Sequence, residues 1–148
     1  MTANVSKEEE EELRKLSVEM RFLEQTAESL QQRISMVNAA MTDLAYANMA
    51  LESIEKEKEN AELLVPIGGS SYIKVKLASP DKVIVGMGAN VSIEKTLPEA
   101  KAIVEERLEE LEKTMHSAQQ QFGQVAERIN AGRSRVESLL STVRKGTA

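Results

Sequence analysis

The sequence predicts an α+β chain: a long antiparallel two-helix coiled coil joined by two β-hairpins that oligomerise into a β-barrel hub. Three observations carry this. Two apolar heptad seams of similar length flank a short middle stretch. That stretch, Glu62 to Lys95, is strand-like and punctuated by Gly, Pro, Asn and Ser. Aromatics are only 3% of the 148 residues, too few for a thick globular core, while 29% charged residues suit long solvated helices. The length predicts one domain. It divides into a helix at 6–60, a four-strand hub at 62–95 and a second helix at 97–145.

The first helix has a start signal. Ser6 is a candidate N-cap and Glu9 completes a capping box. The acids Glu8 to Glu12 then fall in the first turns, where negative charge complements the helix dipole. They radiate around the helix, so they read as a solvated start rather than a cation site. From Leu13 the apolar residues step by three and four. One set is Leu13, Met20, Ala27, Ile34 and Met41, running on to Asn48; the other is Leu16, Leu23, Leu30, Val37, Leu44 and Leu51. About six heptads of such a and d positions are a strong coiled-coil signal. At Asn48 the polar residue either fixes register or the seam shifts to Ala47, Leu51 and Ile54. The run Glu55-Lys56-Glu57-Lys58-Glu59-Asn60 has no apolar residue, and the helix is expected to end there.

The middle reads as four short strands. Leu63 to Ile67 is the first, with Pro66 at an edge or bulge because it lacks a ladder donor. Gly68 to Ser71 is turn chemistry, and Tyr72 to Leu77 alternates with Ile73, Val75 and Leu77 on one face. A turn with Pro80 at its second position leads to Val83–Met87. Gly88-Ala89-Asn90 turns the chain into Val91–Lys95. Two hairpins of this size cannot bury a stable core alone, and their open edges call for partner strands. The predicted assembly residues are Val65, Ile67, Ile73, Val75, Leu77, Val83, Val85, Met87, Val91 and Ile93. The glycines do not make a phosphate cradle, since each cluster opens a strand rather than a helix.

The second helix opens with another capping box, Thr96-Leu97-Pro98-Glu99. Its seam is Val104, Leu108, Leu111, Met115, Ala118, Phe122, Val125, Ile129, Gly132, Val136, Leu139 and Val143. At 1.5 Å per residue the helix is ~72 Å long, matching the first, so the arms zip antiparallel. Matching the ends sets Leu13 near Val143 and Leu23 near Gly132. Gly132 reads as a weak spot that fills no hole and loosens the last heptads, at about 1 kcal/mol relative to Ala. Residues 1–20 carry six acids against three bases, and residues 130–148 four bases against one acid, so the free ends attract one another.

Several functions are excluded or disfavoured. With no cysteine there is no disulfide and no thiolate metal site. A net charge of -5 argues against a general nucleic-acid binder. No secretory signal or membrane-spanning run is visible, so Asn4 and Asn90 in Asn-x-Ser patterns read as chance, and the expected location is the cytoplasm. His116 is the only histidine and reads as a surface residue. No nucleophile–base pair occurs, so no enzyme activity, catalytic residue, metal or cofactor is expected.

Helix, two hairpins and an equal helix together resemble the α-type subunit of prefoldin, a hexameric chaperone. The most specific segments are Leu64-Val65-Pro66-Ile67-Gly68, Ser71-Tyr72-Ile73-Lys74, and Val83 to Gly88 leading to Val91-Ser92-Ile93-Glu94-Lys95. Two hairpins rather than one favour the α type over the β type. The resemblance implies two α-type and four β-type subunits, joined by their hairpins into a double-barrel hub. It further implies tips that hold unfolded client proteins and deliver them to a group II chaperonin without ATP. The resemblance implies an archaeal or eukaryotic source, with the compact tails favouring the archaeal one. The tip candidates are Leu13, Leu16, Met20, Val136, Leu139, Leu140 and Val143, with Leu140 just off the seam and so best placed for exposure. A different class of function shares this fold: a structural coiled-coil, filament-forming or scaffold subunit that needs no client.

Overall fold

A computed structural model describes residues 7–146, with side chains described as far as Thr142. The proposed cap at Ser6 and the side chain of Val143 lie outside the described residues. The element order is α1 (Lys7–Glu55), β1 (Glu62–Gly68), β2 (Ser71–Lys76), β3 (Lys82–Gly88), β4 (Val91–Thr96) and α2 (Leu97–Gly146). The chain forms two compact units. Residues 1–38 with 113–148 make the first, and residues 39–112 make the second.

In the first unit α1 and α2 bury Leu23, Leu30, Val37, Ala118, Ile129 and Leu139. These are seam positions of both helices, while Leu13, Leu16, Met20, Phe122, Val125 and Val136 are half-buried. The three-and-four spacing therefore places one continuous stripe of each helix in the seam. Charge reinforces the antiparallel register. Arg135 donates to both carboxylate oxygens of Glu12 at 2.6 and 2.9 Å, and Arg128 donates to Glu19 at 2.9 Å. The two pairs are one heptad apart on each helix, as a single register requires.

The second unit is organised around Leu51, Leu97, Ala100 and Val104, with Leu44, Ala47, Ile54 and Leu108 packed on them. Ala100 is fully buried, so α1 and α2 approach closely there. Ala47 packs on this cluster, and Asn48 beside it is likewise half-buried. α1 stops at Glu55, five residues before position 60, because the charged run beyond it offers nothing to bury. Asn60 takes a left-handed φ of 64°, and its N–H bonds the Leu77 carbonyl at 2.7 Å. That bond and Leu77 N–H to the Ala61 carbonyl extend the first hairpin past its strands.

The start of α2 is capped as the sequence predicts. Thr96 N–H donates to Glu99 Oε2, and Glu99 N–H donates to Thr96 Oγ1, both at 3.3 Å. Leu97 N–H also bonds the Asp81 carbonyl at 2.9 Å, fixing the entry of α2 to the mouth of the second hairpin.

The sheets are two separate antiparallel ribbons, β1–β2 and β3–β4. Their registers are the same after an offset of twenty residues: Glu62 pairs Lys76 and Gly68 pairs Ser71, while Lys82 pairs Thr96 and Gly88 pairs Val91. Each ribbon bulges at the same place, between Pro66 and Gly68 and between Gly86 and Gly88. Each then turns on two residues of positive φ, Gly69 and Ser70 in one and Ala89 and Asn90 in the other. Two such residues match the right-handed twist of the flanking strands. The chain thus contains one hairpin design twice.

Candidate functional site

Directly opposed residues on a two-stranded ribbon share a face. The pairs Leu63↔Val75 and Val65↔Ile73 therefore set an apolar face on the first hairpin. The pairs Val83↔Lys95 and Val85↔Ile93 set the equivalent face on the second. The environments of these faces differ. Val83 and Val85 pack on the Leu51–Leu97–Ala100–Val104 cluster. Val65 and Ile73 remain 43% and 50% exposed, and Ile67, Met87, Val91 and Ile93 are exposed as well. Val75 and Leu77 are half-buried.

The second hairpin also has a polar tie to α2. Arg107 donates to the Gly86 carbonyl at 2.8 Å, and its guanidinium lies 3.9 Å from Met87 Sδ. Gly86 borders the bulge, where the register shifts between Gly86 and Gly88. Lys101 bonds Glu55 across the helix pair beneath, which raises the Lys101 pKa. The second hairpin is thus held to the helices by both packing and a charged donor.

Strand alternation alone misses part of this surface. Leu64, Tyr72 and Ile84 are exposed on the faces opposite those described, Ile84 at 77%. Leu64 and Ile84 occupy equivalent positions of the repeated hairpin. The twenty-residue self-similarity was the available signal. Each ribbon therefore carries exposed apolar residues on both of its faces.

In the first unit the expected tip residues divide by depth. Leu139 is 4% exposed and closes the coil, whereas Leu140 beside it is 40% exposed. Leu13, Leu16, Met20 and Val136 are half-buried. An open groove of about 410 Å³ runs between the helices here, lined by Ser17, Met20, Arg21, Glu24, Arg133, Val136 and Glu137.

Gly132 differs from the sequence expectation. Its missing side chain is replaced by Met20, whose Sδ would collide with an added Cβ and whose Cγ and Cε lie 3.5 and 3.6 Å from that position. The glycine fills no hole itself, but it admits the thioether, so the seam is occupied there. The contact comes from Met20, one step along the seam from the Leu23 expected opposite it, because a and d layers interdigitate rather than stack.

The Arg135 guanidinium holds the Glu12 carboxyl below its ordinary range, chiefly through the hydrogen bonds; desolvation opposes this, and the charge of Arg135 adds a smaller lowering. A depressed carboxylate stabilises the fold above the ordinary glutamate range and stops doing so as pH falls through its folded value. Acidification below that range is therefore expected to loosen this end of the coil. A Glu12→Gln chain should lose that part of the response. Amide exchange of α1 residues near Glu12, followed from neutral to acid pH in both chains, checks this. Because the pair is exposed, the effect is small and shrinks with salt.

The family model described as "Prefoldin subunit" matches residues 23–142 of this chain. A protein of Methanococcoides burtonii named "Prefoldin subunit alpha" is 31% identical over 139 residues, covering 94% of this chain and 93% of its own. Proteins of the same name from Pyrococcus horikoshii and Nitrosopumilus maritimus are each 31% identical, covering 80% and 82% of this chain and 80% and 93% of their own. Among solved structures, a chain of filamentous PFD from Methanocaldococcus jannaschii, determined by cryo-EM, is similar. It superposes with a TM-score of 0.65 at 25% identity, covering 75% of this chain and 92% of its own.

Proposed function

The chain belongs to the prefoldin family, and from that premise we propose that it is the α-type subunit of an ATP-independent cytoplasmic holdase. It assembles with other prefoldin subunits through its two hairpins, and the expected complex holds two α-type and four β-type chains. Nonnative proteins are captured at the coil ends and passed to a group II chaperonin. The observation that carries this reading is the pair of ribbons with exposed apolar residues on both faces. A chain acting alone would leave them in water, which is costly and promotes association. Capture by the coil ends is supported by Leu140 and by the half-buried Leu13, Leu16, Met20 and Val136, which need only local fraying to be displayed. Several weakly binding ends around one cavity then add up through effective concentration. Among the described residues, no helix is long and apolar enough to cross a membrane.

Deletion of residues 131–148 tests the capture surface. The shortened chain is expected to enter the mixed complex but to lose most suppression of aggregation of a denatured client, read by light scattering. Undiminished suppression by the shortened complex would overturn the assignment. A second reading, a filament or scaffold subunit, is favoured by the likeness to filamentous PFD. Mass measurement separates the two. A discrete mixed hexamer with a β-type partner supports the holdase subunit, and open-ended polymers of this chain alone support the filament.

A further inference from the structure

One apolar feature of the first unit belongs neither to the seam nor to the hairpins. Val18 and Phe22, four residues apart on α1, are 71% and 67% exposed. Together with Arg14, Lys15 and Glu19 they line a shallow surface depression of about 520 Å³. They lie off the a and d positions, so coil packing does not account for them. The charges around them are unequal. Glu19 is neutralised by Arg128 at 2.9 Å. Arg14 and Lys15 have no ion-pair partner among the described residues, and Glu11, one turn back, pairs with neither. An aliphatic–aromatic pair at helical spacing, rimmed by two unneutralised cations, is complementary to an amphipathic segment carrying apolar residues and carboxylates.

We propose that the Val18–Phe22 face of α1 docks an acidic amphipathic helix of a partner protein, separately from the capture of unfolded clients. The partner's apolar stripe lies along Val18 and Phe22 as a helix packs in a groove, and its carboxylates meet Arg14 and Lys15. Because those two contacts sit at the rim, they set selectivity for acidic segments and salt dependence more than contact area.

The probe is a fluorescent peptide of about 16 residues with leucines at helical spacing and glutamates on the rim. A second peptide has lysines for the glutamates. Each is titrated with the assembled complex and followed by anisotropy. The acidic peptide is expected to bind and the basic one to bind at least tenfold more weakly. Val18→Ser/Phe22→Ser should reduce acidic-peptide binding about tenfold or more. Arg14→Glu/Lys15→Glu should reverse the peptide preference, and raising salt from about 50 to about 300 mM should weaken the acidic complex. All four side chains are exposed or off the seam, and circular dichroism verifies that both variants remain folded. Three results would overturn the proposal: no binding of either peptide; equal binding of both with displacement by a denatured client, which makes the face a client contact; or a concentration-dependent increase in mass abolished by Val18→Ser/Phe22→Ser, which makes a second copy its occupant.

Discussion

A Val65→Asp/Ile73→Asp chain is expected to keep its helices and to fail to enter a complex with its partner subunits. The two residues oppose each other across β1 and β2. Two carboxylates placed there repel within the ribbon. The larger effect comes on assembly, when partner strands cover the face. An unpaired charge buried in that way costs ~3–5 kcal/mol, which is at least a hundredfold in the concentration needed to assemble. Neither side chain belongs to the helical cluster of the second unit, so far-UV circular dichroism should be unchanged. The equivalent change in the other ribbon, Val85→Asp, is expected to do more. Val85 packs on the cluster around Leu51 and Ala100, so that variant should lose both assembly and thermal stability. Native mass spectrometry and thermal unfolding of the two variants check the distinction. Wild-type assembly by Val65→Asp/Ile73→Asp would remove the hairpin face from the interface. Loss of helix content in the same variant would make the first hairpin part of the folding core instead.

This asymmetry between two nearly identical hairpins shows where the sequence was legible. Apolar spacing is local and periodic, so both helical seams could be read from it. So could the alternation of the strands and the Thr96–Glu99 cap, which is reciprocal at 3.3 Å. What a strand rests on is a nonlocal property. Val83 and Val65 look alike in sequence, yet only Val83 lies on the helical cluster. The tie from Arg107 to the Gly86 carbonyl spans elements that no periodic pattern links. Leu64, Tyr72 and Ile84 were missed because alternation assigns such positions to solvent whenever one face suffices for a core. Here neither ribbon has a core of its own. The end of α1 falls at Glu55, the first residue of the charged run expected to stop it. Glu and Lys favour helix locally, but a helix running into charge has no apolar face to bury and stops where its packing stops.

The largest departure concerns Gly132, and it predicts a change of sign. In isolation Gly132→Ala should stabilise a helix by about 1 kcal/mol. In this chain the new Cβ meets the middle of the Met20 side chain rather than its flexible end. Met20 must leave its place in the seam, and overpacking of this kind costs ~1–3 kcal/mol. The single variant is therefore expected to be destabilised by about 1 kcal/mol net of the propensity gain. Met20→Ala removes a half-buried thioether and leaves space beside the glycine. It should cost ~1–2 kcal/mol, less than a fully buried methionine would. In the Met20→Ala background the obstacle is gone while the propensity gain remains, so Gly132→Ala should now stabilise by about 1 kcal/mol. The difference between the two backgrounds, ~2 kcal/mol, lies within the range measured for residues in direct contact. Urea unfolding of the four chains, followed by circular dichroism, measures it. Equal stabilisation in both backgrounds would mean that Met20 does not occupy the glycine's place and that Gly132 is only a weak point. A reversal would mean that the glycine is there to admit an adaptable thioether between the helices. If capture of clients requires the last heptads to open, the effect of Gly132→Ala on aggregation suppression should run opposite to its effect on stability, strengthening suppression in the wild-type background and weakening it in the Met20→Ala background.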